Sequence, residues 1–243
     1  MRTRALMLIA SGILVAATAT ASAYEEKTVT NGGSISGSVR VTGEIPVLPP
    51  MPVYKEGDAC GATMRDERLL VGKDGVLQNA VVFLDGVDSG KPIRREDPVT
   101  LDNVKCAFVP HVAAGTVGQT LSMHNSDAFL HDAHAWMGAR TVFNVALLKG
   151  KTKDQPLSEP GLIHINCNVR HTWMHAYLFV TEHPYRVVTD AGGRFSLDQV
   201  PPGTYRIAVW HELLGSRERE VTVAAGQGAT VDFELEAVAP QKP

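Results

Sequence analysis

Beyond its first residues, the sequence has no apolar run long enough to cross a membrane, and it shows no long amphipathic helix pattern. It also lacks a phosphate-binding glycine loop, a G-x-S-x-G elbow and any internal repeat. These absences speak against nucleotide-dependent, serine-hydrolase and solenoid readings. Basic residues are in deficit: without Arg2 and Arg4, the 23 Lys and Arg fall to 21 against 26 Asp and Glu, a formal charge of −5. That balance argues against nucleic acid or anionic membranes as partners. Cysteine is scarce, with three in the whole chain.

The first residues read as a leader. Arg2 and Arg4 precede an apolar stretch from Ala5 to Ala17, and Ala21, Ser22 and Ala23 supply a small-x-small cleavage pattern. A signal peptide over 1–23 is expected, with a mature chain from Tyr24 exported to the periplasm or beyond and no membrane span within it. No cysteine follows the cut, so no lipid anchor is expected there.

The remainder combines abundant turn residues, 22 Gly and 14 Pro over the full chain, with short Val, Ile and Leu runs. That mixture predicts an all-β fold of many short strands. Residues 33–43 alternate apolar and polar, and a Pro-rich connection follows from Pro46 to Pro52. Leu69 to Val71 and Ala80 to Leu84 flank a turn at Lys73, Asp74 and Gly75. Two strands are expected between Cys106 and Asn125, broken near Gly115, with Leu121, Met123 and Asn125 on one face. Residues 126–160 read mostly as loop, with a short strand around Val142 to Leu148. From Gly161 the alternation returns, so Ile163, Ile165 and Cys167 share a face. Ala176 to Val180 is the next strand, and the last fifty residues form a separate strand-and-turn pattern.

Three exported cysteines leave one without a partner. Cys60 and Cys106 have ordinary surroundings, whereas Cys167 sits among histidines, so the economical pairing is Cys60 with Cys106. Eight of the nine histidines lie between His111 and His183, and the ninth is His211. Two blocks stand out, one from Asn125 to His134 and one from Cys167 through His171 to Met174. The second brings a thiolate, an imidazole and a thioether together on one short loop between strands, at little entropic cost. One imidazole from another strand end would complete a soft His2Cys set with a weak methionine.

These blocks resemble the cupredoxin family, in which an upstream Asn…His block meets a Cys…His…Met loop. The resemblance covers roughly residues 100–183. It implies a mononuclear copper site of His131, Cys167, His171 and Met174, with Asn125 bracing the ligand loop by hydrogen bonds. The spacing, Cys-x3-His-x2-Met, is shorter than in plastocyanin or azurin. It is closer to the end of the binuclear loop of cytochrome oxidase subunit II. That version needs a further cysteine where this chain has Ile163.

A second resemblance covers residues 188–236, from Thr189, Asp190, Gly192, Gly193 and Phe195 to Pro201, Pro202, Gly203 and Tyr205. It is to the carboxypeptidase regulatory-like, transthyretin-like sandwich, a module that implies no catalysis. Strands near Ile35 to Val41 and Ala80 to Leu84 resemble its opening half, so the cupredoxin-like part can be an insertion.

The expected organisation is therefore a leader (1–23), N-terminal strands (24–99), a cupredoxin-like Greek-key sandwich (100–183), a smaller regulatory-like sandwich (184–237) and a tail (238–243). The expected role is one-electron transfer with a redox protein such as a cytochrome, and no enzyme activity. The alternatives are a copper carrier or storage protein, and a structural or adhesion sandwich with a zinc or empty site. His134 is a further candidate ligand, and in a zinc site it would join His131, Cys167 and His171. His111 and His211 are candidates to approach the metal across a domain contact. His124, His164, His175 and His183, with Trp173, Tyr177 and Phe179, read as structural.

Overall fold

The computed structural model describes residues 24–237, so the expected leader and tail lie outside the described residues. Within them, helix is confined to Gly57–Cys60 and one 3-10 turn, Lys73–Gly75. Everything else regular is strand, so the chain is all-β.

The first long strands are β1 (Gly33–Gly43) and β2 (Val81–Asp85). A block of nine follows: β3 (Val99–Val104), β4 (Ala107–Val109), β5 (Val112–Thr116), β6 (Thr120–Asn125) and β7 (His131–Met137), then β8 (Arg140–Leu147), β9 (Thr152–Pro156), β10 (Gly161–Asn166) and β11 (His175–Thr181). The chain then continues through β12 (Arg186–Val188), β13 (Arg194–Val200), β14 (Gly203–His211), β15 (Gly215–Val223), β16 (Gly228–Thr230) and β17 (Phe233–Ala237).

The block makes its own sandwich, with sheets ordered β9-β6-β3-β4 and β8-β7-β10-β11-β5. The flanking strands make another, with sheets β12-β2-β14-β15 and β13-β1-β16, and β17 also pairs with β1. Two separate cores reflect this. One is built from residues such as Ile35, Val39, Leu84, Tyr185, Phe195, Ile207 and Phe233, on both sides of the block in sequence. The other is built from Leu121, Met123, Ile163, Ile165, Leu178 and their neighbours inside it. The sandwich of β3 to β11 is thus inserted into the first one, and the two chains at its neck are stitched together. Strands β2 and β12 pair antiparallel, Val81 opposite Val188. Thr189 Oγ1 donates to the Leu77 carbonyl at 2.8 Å and accepts from the Ala80 N–H at 3.0 Å.

Local chemistry explains several joints of the outer sandwich. Gly37 lies where the chain at Val231 crosses β1: an added Cβ would sit 1.8 Å from the Val231 carbonyl oxygen, so only glycine permits that approach. The Asp190 to Gly193 turn closes because the Asp190 carboxylate accepts the N–H groups of Gly192 and Arg194.

The segment 126–160 differs from its expected loop character, since it contains β7, β8 and β9. Strand β7 is rich in alanine, histidine and aspartate, residues with weak or no strand preference, yet Ala133 and Ala135 are fully buried and β7 pairs along its length with β8. Strand β9, with Lys153, Asp154 and Gln155, is a polar sheet edge, where charge is the normal guard against further pairing. Likewise three strands, not two, run between Cys106 and Asn125.

The sandwiches meet through the outward face of β11. Ala176, Leu178 and Val180 point into the inserted core. On the other face Tyr177 packs against Trp210 at 5.3 Å between ring centroids, and Phe179 packs against Phe83 at 4.6 Å.

Two buried histidines give this architecture an acid sensitivity. Burial pushes His183 and His211 each down to about 4. The folded chain holds both rings neutral, whereas an unfolded chain protonates them below about pH 6.5. Their contribution is therefore complete above pH 6.5 and lost as pH falls towards 4. Each ring is expected to cost on the order of 2 kcal/mol of stability between pH 6.5 and 5. Urea unfolding at the two pH values tests this, with His183→Gln reducing the loss; equal stability at both would contradict it.

Candidate metal centre

The site forms where β7 begins and β10 ends, at one end of the five-stranded sheet. Pleat alternation on β10 buries Ile163, Ile165 and then Cys167, the first residue past the strand. The chain turns through Arg170 in the left-handed region (φ 70°) and returns into β11. The Cys167 N–H donates to the Met174 carbonyl at 3.3 Å, and the Met174 N–H donates to that of His171 at 2.9 Å. These bonds clamp the loop at both ends. His131, the first residue of β7, enters from the neighbouring strand.

The side chains converge. Cys167 Sγ lies 3.8 Å from His131 Nδ1 and 3.5 Å from His171 Nδ1, and the two nitrogens are 3.0 Å apart. His131 and His171 are completely buried and Cys167 is 3% exposed. Met174 is buried in the same core. Phe129 packs against both imidazoles, and Trp173 against His171.

The polar surroundings define what each ring offers. His131 Nε2 is 3.0 Å from Asp127 Oδ2, and a carboxylate only accepts, so the ring's N–H points there and Nδ1 turns its lone pair to the cluster. Asp127 is itself held by the N–H groups of Lys105 and Cys106, at 2.7 and 2.8 Å. His171 Nε2 is buried without a hydrogen-bond partner, so the polar contacts of that ring lie on its Nδ1 side. Burial holds both rings below the usual imidazole range, offset in part for His131 by Asp127. Burial also pushes the Cys167 thiol up to about 11. Three ligand atoms thus face one another in a pocket that disfavours a second proton on each ring and the charge on sulfur. A central cation would satisfy all three at once. Metal bonds of about 2.0–2.3 Å put tetrahedral or trigonal ligand atoms roughly 3.3–3.9 Å apart, close to the spacing observed.

Asn125 is fully buried at the end of β6. Its Nδ2 donates to the Phe129 and Leu147 carbonyls at 2.8 and 2.7 Å, and its Oδ1 accepts from the Asp127 N–H at 3.0 Å. One side chain therefore fixes the course of 125–131 on its way to His131. The disulfide is Cys60–Cys106, closing a separation of 46 residues, and Cys167 is the free cysteine. Trp173 Nε1 donates to the Cys106 carbonyl at 3.0 Å, so the bridge, Asp127 and the ligand loop form one connected support.

His134 is a correction. Strand alternation turns it to the face opposite Ala133 and Ala135, where Nε2 meets Thr141 Oγ1 at 3.0 Å and Nδ1 meets the Asn168 side chain. The four-ligand zinc set that included it is not assembled. His111 and His211 also stand apart from the cluster. His111 gathers instead with His175 and Glu212, three residues from distant segments whose association no spacing in the sequence announces. Asp127 was likewise missed: an aspartate four residues before a histidine is too common to signal an orienting partner.

Residues 175–236 match the carboxypeptidase regulatory-like domain family. That stretch contains β11 to β17, so the match takes in the closing half of the outer sandwich and one strand of the insertion. No curated protein matches the chain. Among solved structures, 35% of this chain aligns with 22% of the copper-containing nitrite reductase of Thermus scotoductus SA-01, at 27% identity and a TM-score of 0.32. The same share aligns with 99% of a purple cupredoxin from Nitrosopumilus maritimus (20% identity, TM-score 0.30) and with 83% of a reduced amicyanin variant (19%, 0.32). At these scores the likeness is partial, and the site stands on its own ligand geometry.

Replacing Asn125 with alanine strips two buried carbonyls and one N–H of their partner, with an expected loss on the order of 3 kcal/mol. Denaturant unfolding of Asn125→Ala measures it; a change below about 0.5 kcal/mol, as at an ordinary surface position, would contradict the bracing role.

Proposed function

We propose that this chain is an exported copper protein of cupredoxin type that carries single electrons between redox proteins and turns over no substrate. The observation that carries this reading is the convergence of His131 Nδ1, His171 Nδ1 and Cys167 Sγ in one buried pocket. Two imidazoles and a thiolate are the ligand set of copper electron-transfer sites, with Met174 as the weak fourth ligand. Copper bound there would supply a one-electron couple between Cu(I) and Cu(II).

The chain's residues do the rest. Asp127 fixes the tautomer and orientation of His131, Asn125 holds the approach to it, and the hydrogen-bonded loop holds Cys167 and His171 in place. Phe129 and Trp173 pack against the imidazoles and help to exclude water. Rigid ligands at strand ends need little rearrangement when the charge at the centre changes by one. The Cys60–Cys106 bridge is in keeping with an oxidising compartment, the periplasm or the exterior. No helix among the described residues is long and apolar enough to cross a membrane. The redox partner is expected to be a protein such as a cytochrome.

Adding Cu(II) to metal-free protein is expected to produce a strong visible thiolate-to-copper absorption band, absent in Cys167→Ser. A colourless protein that retains zinc in competition with copper would overturn the reading.

A further inference from the structure

A second group of ligand atoms lies outside the Cys167 cluster, at the seam between the sandwiches. His111 immediately precedes β5, His175 opens β11, and Glu212 follows β14 of the outer sandwich. The ligand atoms of all three lie within 4.8 Å of one another. The side chains of His111 and Glu212 are 4% and 3% exposed. A carboxylate so deeply buried is costly unless cations or strong hydrogen bonds compensate it. Among the described residues, Glu212 pairs only with the rings of His111 and His175. The nearby guanidinium of Arg68 is committed to Asp66, with both carboxylate oxygens engaged at 2.6–3.1 Å.

The orientation of His175 is decisive. Its Nδ1 lies 3.1 Å from the Trp173 carbonyl oxygen, which can only accept, so the ring's N–H is spent there. Nε2 then presents a lone pair, is buried, and has no hydrogen-bond partner. It stops 3.9 Å from Glu212 Oε2. Two electron-pair donors therefore face each other across a gap too wide for a direct hydrogen bond and suited to an ion. The other carboxylate oxygen, Oε1, accepts the Nε2–H of His111, and an ion bound at that nitrogen would shift the ring's proton to Nδ1. A cleft lined by Arg68, His164, Cys167, Thr172 and Tyr177 also borders the ring of His175.

We propose that His111, His175 and Glu212 form a second metal site, for a divalent first-row ion of zinc type, which bridges the inserted and outer sandwiches. Two imidazoles and a carboxylate are nitrogen and oxygen ligands without sulfur, the set that suits Zn(II). The site owes nothing to Cys167. Because its ligands come from both sandwiches, an ion held there fastens one to the other.

The test uses the full chain carrying Cys167→Ser, which disables the sulfur site. Calorimetric titration with Zn(II) is expected to show an ion bound, with the unfolding temperature raised. Adding Glu212→Gln is expected to weaken that binding by about tenfold or more and to remove the thermal shift. In the chain that keeps Cys167, a second equivalent of Co(II) should add ligand-field bands without adding to the sulfur charge-transfer band, which separates this site from the one at Cys167. His175→Gln is a second probe should Glu212→Gln fail to fold. The proposal is overturned if Cys167→Ser binds no Zn(II), leaving a plain His111–Glu212 hydrogen bond. It is equally overturned if binding is indifferent to both Glu212→Gln and His175→Gln.

Discussion

The structure turns on one electrostatic constraint: two imidazole nitrogens and a sulfur are buried within 3.8 Å of each other. Desolvation there resists protonating His131 or His171 and resists ionising Cys167. Such a pocket resists charge on each of the three groups taken singly and suits a single soft cation, which would reverse the sulfur's preference by binding it as thiolate. The surroundings keep the three groups from relaxing apart. Asp127 ties His131 to the backbone at Cys106, the disulfide ties Cys106 to Cys60, and Trp173 ties the ligand loop to the same backbone.

Insertion of one sandwich into another gives β11 two duties. Its inward residues, Ala176, Leu178 and Val180, complete the core behind the Cys167 loop, while Tyr177 and Phe179 pack on Trp210 and Phe83 of the outer sandwich. The ligand loop is consequently anchored to both bodies at once. His175 sits at that joint, one residue after Met174, so the seam and the metal pocket share a single stretch of backbone. Changes at either place should be felt at the other.

Much of this was legible in the sequence, because it depends on short-range periodicity. The alternation through Ile163, Ile165 and Cys167 specifies which way the sulfur points, and the spacing to His171 and Met174 places further ligand types on the same loop. The odd cysteine count, with Cys167 set among histidines, left Cys60 and Cys106 as the pair. What was not legible depends on long-range contact or on weak local preference. Strand β7 hides behind alanines and polar residues. Once it is seen as a strand, the same alternation that buries Ala133 and Ala135 removes His134 from the site. Asp127 gains its role only when its loop is folded against Cys106, and Glu212 meets His111 across 101 residues of sequence. The outer sandwich is split in the same way: family likeness begins at residue 175, although its core draws on Ile35, Val39 and Leu84.

X-ray absorption at the copper edge, on protein loaded with one equivalent, tests the central claim most directly. One sulfur neighbour and imidazole nitrogens are expected in the first shell of each copper. A shell of nitrogen and oxygen alone, unchanged in Cys167→Ser, would contradict it.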